Sequence, residues 1–234
     1  MHKINTSILY SGQEKILLAV DCIIFGFDSH KLKLLLFKRK VEPLKGEWSL
    51  IGSFVNNQQT LQDAAKEILY KSTGLSNVYL DELKTYSKLD RDPGERVISV
   101  AYFSLIRINE FDIENVEKYD AHWFDFDNIP NLILDHNEMV KDAISKLRSK
   151  AIYQPIGFEL LPEKFTIPQL QILYECVYQQ KLDDRNFRKK ILSFDILTKT
   201  TEKDKSGSKK GAFLYMFDNE KYKEFVAKGN NFEL

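Results

Sequence analysis

Nine lysines and arginines crowd residues 185–210, RNFRKKILSFDILTKTTEKDKSGSKK, against three acids, Asp195, Glu202 and Asp204. That is a local excess of six positive charges in a chain whose basic and acidic residues number 34 each. Any surface that attracts a polyanion must therefore be this patch and not the molecule as a whole. Phe187, Ile191 and Leu192 recur at helical spacing, which turns Arg185, Arg188 and Lys189 outward. Arginine forks onto guanine and asparagine pairs with adenine. Arg185, Asn186 and Arg188 are thus candidate readers of base edges, with Lys189 and Lys190 beside them. Lys203, Lys205, Lys209 and Lys210 suit phosphates, which give affinity and salt dependence without sequence information. Alone, RNFRKK would read as a solvated charged face; its context decides otherwise.

A second stretch is notable for chemistry it lacks. In LKGEWSLIGSFVNNQQTLQDAAKEILYKSTGL, residues 44–75, a helix over 60–72 carries Leu61, Ala64, Ala65, Ile68 and Leu69 as one apolar stripe. Its polar side is nearly free of the carboxylates that a hard divalent ion such as Mg²⁺ requires. Asp90, Asp92 and Glu95 in LDRDPGER offer a displaced metal site, or simply a charged turn reversed by Pro93-Gly94. A small-molecule site combines an aromatic plate with convergent polar groups. Arg39, Lys45, Trp48, Asp90 and Asp92 are the candidates, although Trp48 reads more readily as a packing residue. His122 and His136 have no ligand spacing and read as structural, His136 alternatively as part of a connector. Cys22 and Cys176 are far apart, without metal or redox spacing, and read as buried thiols of a reducing compartment.

These side chains need elements to position them. ILLAVDCIIFGF and LKLLLFKRK form a β-hairpin across DSHK, residues 97–108 a long strand, and AHWFDFDNIP a short one. A helix over 136–149 buries Met139, Val140, Ala143, Ile144 and Leu147. Beyond residue 150 the pattern becomes helix, turn, helix and hairpin. One helix runs from about Thr166 to Gln179, with Thr166 and Gln169 as a capping box. The next spans about Arg185 to Ser193, capped by Asp183 or Asp184. Strand, basic loop and strand follow. The start, MHKINTSILYSGQEK, lacks the sections of a secretory signal, and the longest apolar run is broken by Asp21, so a cytoplasmic protein is expected.

Residues 44–75 resemble the Nudix box, GX5EX7REUXEEXGU, the signature of hydrolases of nucleoside diphosphates linked to another group. Aligned on Thr73-Gly74-Leu75, Ser53 stands at the motif glycine, Gln59 at the first glutamate and Glu67 at the arginine. Ile68, Lys71 and Ser72 take the three helical glutamate positions. Sliding by one makes Gly52 the glycine and rescues only Glu67, leaving Tyr70 and Lys71 at the paired positions. Neither register builds the metal site. The runs LDRDPGERVISVAYFSLI and LDHNEMVKDAISKLRSKAIYQPIGFELLPEKFT extend the resemblance to the Nudix-related transcriptional regulators of NrtR type, from about Ile16 to Phe217.

That resemblance implies an α+β architecture: a catalytically degenerate Nudix-like α/β/α sandwich with a mixed sheet over 1–152, and a winged helix-turn-helix over 153–234. It implies a non-enzymatic regulator, without cofactor, that binds double-stranded DNA at a palindromic operator as a homodimer. With the diphosphate-holding metal face gone, the expected effector is a neutral pentose such as L-arabinose, as in the AraR-like branch. The alternatives are ADP-ribose sensing and hydrolysis at a displaced metal site. Helix 136–149 and YQPIGFELLP are expected to act as the hinge.

Overall fold

β-Branched and aromatic residues dominate the apolar runs of the first half, and they assemble into one seven-stranded mixed sheet. The structure, a computed structural model, describes residues 12–108, 110–206 and 210–234, without the side chains of residues 110–112. The expected Lys209 contact and most of the leader stretch therefore lie outside the described residues. β1 (Leu17–Phe27) and β2 (Leu32–Lys38) form the hairpin, its turn fixed by Asp28 Oδ1 accepting the N–H groups of His30 and Lys31 at 3.0 and 2.8 Å. β3 (Trp48–Ser49) pairs with β2, and β4 (Ile51–Phe54) pairs with β1. After α1 (Leu61–Thr73), β5 (Asp81–Tyr86) borders β6 (Val97–Arg107), which runs parallel to β1 from Leu17↔Val97 to Phe27↔Arg107. α2 (Glu110–Glu117) and β7 (Ala121–Asp125), a second partner of β2, complete this half.

Alternation along β1 sorts its side chains to two layers. Val20, Cys22 and Ile24 pack with Ala64, Ala65 and Leu69 of α1. Ile23, Phe25 and Phe27 pack with Met139, Val140 and Ala143 of α3 (His136–Tyr153) on the opposite face. The result is the expected α/β/α sandwich. α1 starts where Thr60 Oγ1 accepts the Asp63 N–H at 3.2 Å, and Gly74, at φ 72°, ends it. Cys22 is fully buried, whereas Cys176 is half-buried at the surface between the halves, its Sγ 3.4 Å from the His30 carbonyl; both thiols are free.

The second half opens with β8 (Phe165–Thr166) and α4 (Ile167–Tyr178). The capping box forms: Gln169 Oε1 accepts the Thr166 N–H at 2.7 Å, and Thr166 Oγ1 accepts the Gln169 N–H at 3.3 Å. α5 (Asp184–Ser193) is capped by Asp183, whose Oδ1 accepts the Asn186 N–H at 2.8 Å; Asp184 is its first residue and instead receives Gln171 Nε2. β9 (Leu197–Asp204) and β10 (Ala212–Phe217) make the wing, ordered β8-β10-β9, and α6 (Asn219–Ala227) follows.

The joint is solid. α3 continues to Tyr153, and its Leu147 and Ala151 share one apolar cluster with Leu160, Leu170, Leu173 and Tyr174. Arg148 Nε donates to the Val177 carbonyl at 3.2 Å, and the Leu234 N–H donates to the Ile152 carbonyl at 3.2 Å. The connector expected to flex is held by buried Phe158, Leu160 and Leu161. Among the described residues no helix is long and apolar enough to cross a membrane.

Candidate functional site

The polar face of α1 is occupied by its own side chains. Glu67 accepts hydrogen bonds from Lys71, one turn later, and from Gln59 at the entry to the helix. The Lys71 bond holds the Glu67 carboxyl below its usual range. Ile68 leans into the core beside α1. No group of three or more His, Cys, Asp or Glu among the described residues could hold a metal ion. The residues present do not fit Mg²⁺: one carboxylate, already neutralised, faces an ammonium instead of a cluster of oxygens. Asp90 and Glu95 are exposed, and Asp92 Oδ1 accepts the Gly94 N–H at 2.8 Å, so this segment is a turn.

A small cleft lies on the α3 side of the sheet, beside the start of β1 and the end of β4. It encloses about 120 Å³, and Asp21, Arg39, Ser53, Arg91, Asp92 and His136 supply its polar lining. Of the five residues expected at a ligand site, the cleft brings together Arg39 and Asp92. Lys45 sits on the exposed turn before Gly46, and Asp90 is likewise out in solvent. Trp48 is packed edge-on against Phe124 and His122, with centroids 4.7 and 5.6 Å away. It is a wall of the fold and offers no face to the cleft.

The floor of the cleft is a buried polar network. Arg91, its side chain 2% exposed, clamps Asp135 with two nitrogens, Nε to Oδ2 at 3.0 Å and Nη2 to Oδ1 at 2.8 Å. The same Nη2 lies 3.7 Å from Asp21 Oδ2, which also accepts Ser99 Oγ–H at 2.6 Å. His136 Nδ1 accepts the Leu50 N–H at 3.1 Å, which places the ring proton on Nε2, 3.6 Å from Asp21 Oδ1. Burial pushes the imidazole pKa down, against the pull of Asp21 and Asp135. Asp21, Ser99, Arg91 and Asp135 were missed in the sequence. Asp21 carried a signal: a carboxylate inside an apolar strand needs a buried partner.

The basic surface of the second half is built on α5 and the wing. Phe187 and Ile191 are buried, so at about 100° per residue Arg185 and Lys189 point away from the core. Arg188 turns to the wing, its Nη2 3.5 Å from Tyr215 Oη. Asn186, Lys189 and Lys190 line a groove with Tyr178 and Leu182 on the other flank. Lys203 is held 4.5 Å from the Phe213 ring, alongside Lys199 at 3.6 Å, while Lys205 and Lys210 are exposed at the wing tip.

Two family models match the chain: the NUDIX domain over residues 15–143, and the NrtR DNA-binding winged helix domain over residues 157–217. An ADPR responsive transcriptional repressor from Acinetobacter baylyi is 29% identical over 210 residues, covering 88% of this chain and 84% of its own. An ADP-ribose pyrophosphatase from Methanocaldococcus jannaschii is 36% identical over 110 residues, 47% of this chain and 64% of that protein. The crystal structure of Shewanella oneidensis NrtR complexed with a 27mer DNA superposes with a TM-score of 0.72 at 25% identity, covering 92% of this chain and 97% of that one.

Proposed function

Since this chain belongs to the Nudix family and carries an NrtR-type winged helix domain, we propose that it is a DNA-binding transcriptional regulator whose Nudix domain senses an ADP-ribose-type metabolite without hydrolysing it. We assign sensing to residues 1–152 and DNA reading to residues 153–234. The observation that carries the reading is the pairing of a cleft lined by two guanidiniums with a basic winged helix, joined by a single helix.

Arg39 and Arg91 suit phosphoryl oxygens, which guanidinium binds in fork geometry. They give a diphosphate positive charge without a metal, from the α3 side of the sheet. The pentose expectation rested on the lost metal face and the AraR-like resemblance, and the aromatic plate that such a sugar would use, Trp48, packs on Phe124 and His122. The Acinetobacter relative's response to ADP-ribose supports the same revision. The cleft, at about 120 Å³, holds only part of such a ligand, and exposed Val41 and Phe54 beside it are available to the rest. On the DNA side, Arg185, Asn186 and Arg188 read bases, while Lys189, Lys190, Lys203, Lys205, Lys209 and Lys210 meet phosphates. As a homodimer the chain would read two half-sites about one helical turn apart.

Effector and DNA communicate only if the effector favours one of two arrangements of the reading head. Calorimetry of the full chain with ADP-ribose and with L-arabinose tests the assignment. Heat from ADP-ribose alone is expected; heat from arabinose alone reverses it.

A further inference from the structure

We propose that Arg91 and Asp135 form a latch: a phosphoryl group in the cleft draws Arg91 away, and the freed Asp135 carboxylate turns back to cap α3. This deepens the proposed function and rests on it for the identity of the ligand. The observation behind it is an anomaly in capping. The caps of α1, α4, α5 and α6, which are Thr60, Thr166, Asp183 and Asp218, all have extended backbones and accept a first-turn N–H through their side chains. Asp135 caps α3 with φ −96° and ψ 15°, and its side chain makes no capping bond because Arg91 holds both oxygens. Aspartate is among the best N-cap residues. At this ψ the carboxylate reaches Arg91 and not the first-turn N–H groups, so a change of backbone conformation exchanges one partner for the other.

Arg91 is equally divided. It serves Asp135 and Asp21 through Nε and Nη2, leaving Nη1 without a partner among the described residues, and its guanidinium lines the cleft. An arriving phosphoryl oxygen competes directly for this cation. Releasing Asp135 into a capping geometry requires its ψ to swing to the extended region, which moves the first turn of α3 and His136 with it. The far end of the same helix lies in the core of the reading head, where Arg148 holds the Val177 carbonyl at the end of α4. A helix of 18 residues spans about 27 Å, so a small tilt at Asp135 becomes a larger displacement at α4 and α5.

Asp135→Asn tests the latch, since asparagine caps well yet lacks the charge and the second acceptor oxygen that Arg91 forks onto. Without any ligand, D135N is expected to change operator affinity by about five-fold or more, the lower range of ordinary coupling, in the direction that ADP-ribose drives the wild type. Added ADP-ribose then changes it little further. An unchanged ligand-free affinity overturns the latch, as does a full ADP-ribose response in the variant. R91K, which keeps the charge and loses the fork, is expected to shift affinity the same way; a wild-type affinity there also overturns it. Amide exchange on the wild-type chain serves if either variant folds poorly: ADP-ribose is expected to alter protection in the first turn of α3 and in α4, and unchanged protection in both rejects the latch. Failure of ADP-ribose to bind the wild type sinks the functional reading instead, because the ligand-free shift of D135N does not depend on it.

Discussion

Gly52 lies so close to Asp21 that a β-carbon on it would sit 2.2 Å from Asp21 Oδ1 and 2.7 Å from the Val20 carbonyl oxygen. The backbone of β1 cannot yield without breaking its pairing with β4. Gly52→Ala is expected to cost about 1–3 kcal/mol, as overpacking usually does, and to weaken effector binding by displacing Asp21 from Arg91. Urea unfolding and calorimetry check this; a variant as stable as wild type that binds equally well refutes it.

The ion pair of Lys71 with Glu67 makes a prediction about turnover. ADP-ribose incubated with the chain and Mg²⁺ is expected to remain intact, and Glu67→Gln is expected to change nothing. Cleavage of ADP-ribose to AMP and ribose 5-phosphate that requires Mg²⁺ and vanishes in E67Q would restore the hydrolase reading.

On the DNA side, Arg188→Ala is expected to lower operator affinity several-fold or more, relaxing sequence preference at one base pair. Lys203→Ala is expected to weaken all duplexes alike and to flatten the slope of log affinity against log salt by about 0.9, the release of one phosphate contact. Anisotropy titrations over a salt series separate the two, and equal slopes for wild type and K203A would remove Lys203 from the interface.

His136 predicts a pH dependence. Burial keeps its pKa below the ordinary 6.5, with Asp21 and Asp135 pulling the other way. The fold therefore prefers the neutral ring, and the unfolded chain takes up a proton first as pH falls. Stability from this group is complete above 6.5 and declines below it, by up to about 1.4 kcal/mol per pH unit, until the folded ring protonates. His136→Gln is expected to remove that decline in urea unfolding between pH 7 and about pH 5; parallel curves for the two proteins would reject the assignment.

What could be read from the sequence was mostly local. Thr166 with Gln169, and Asp183 ahead of a stripe of Phe187 and Ile191, announce α4 and α5 within a few residues. The stripe of α1 did the same, and the Nudix resemblance supplied the sandwich with its mixed sheet. α6 left no signal, because none of its residues is fully buried. The cleft floor was invisible for a different reason. Asp21, Arg91 and Asp135 come from three distant segments, and each has an innocent local reading: a break in a strand, a charge in a turn, a residue before a helix. Trp48 was read more readily as a packing residue than as a sugar plate, but its partners, His122 and Phe124, depend on β7 folding beside β2.

The apolar cluster that includes Ile23, Met139, Leu170, Ile191 and Phe232 is one connected body. No plane divides sensor from reader without laying bare greasy surface on both sides. Heating is accordingly expected to melt the molecule once, with calorimetric and van't Hoff enthalpies in agreement, and a fragment cut after Tyr153 forfeits a wall of its own interior.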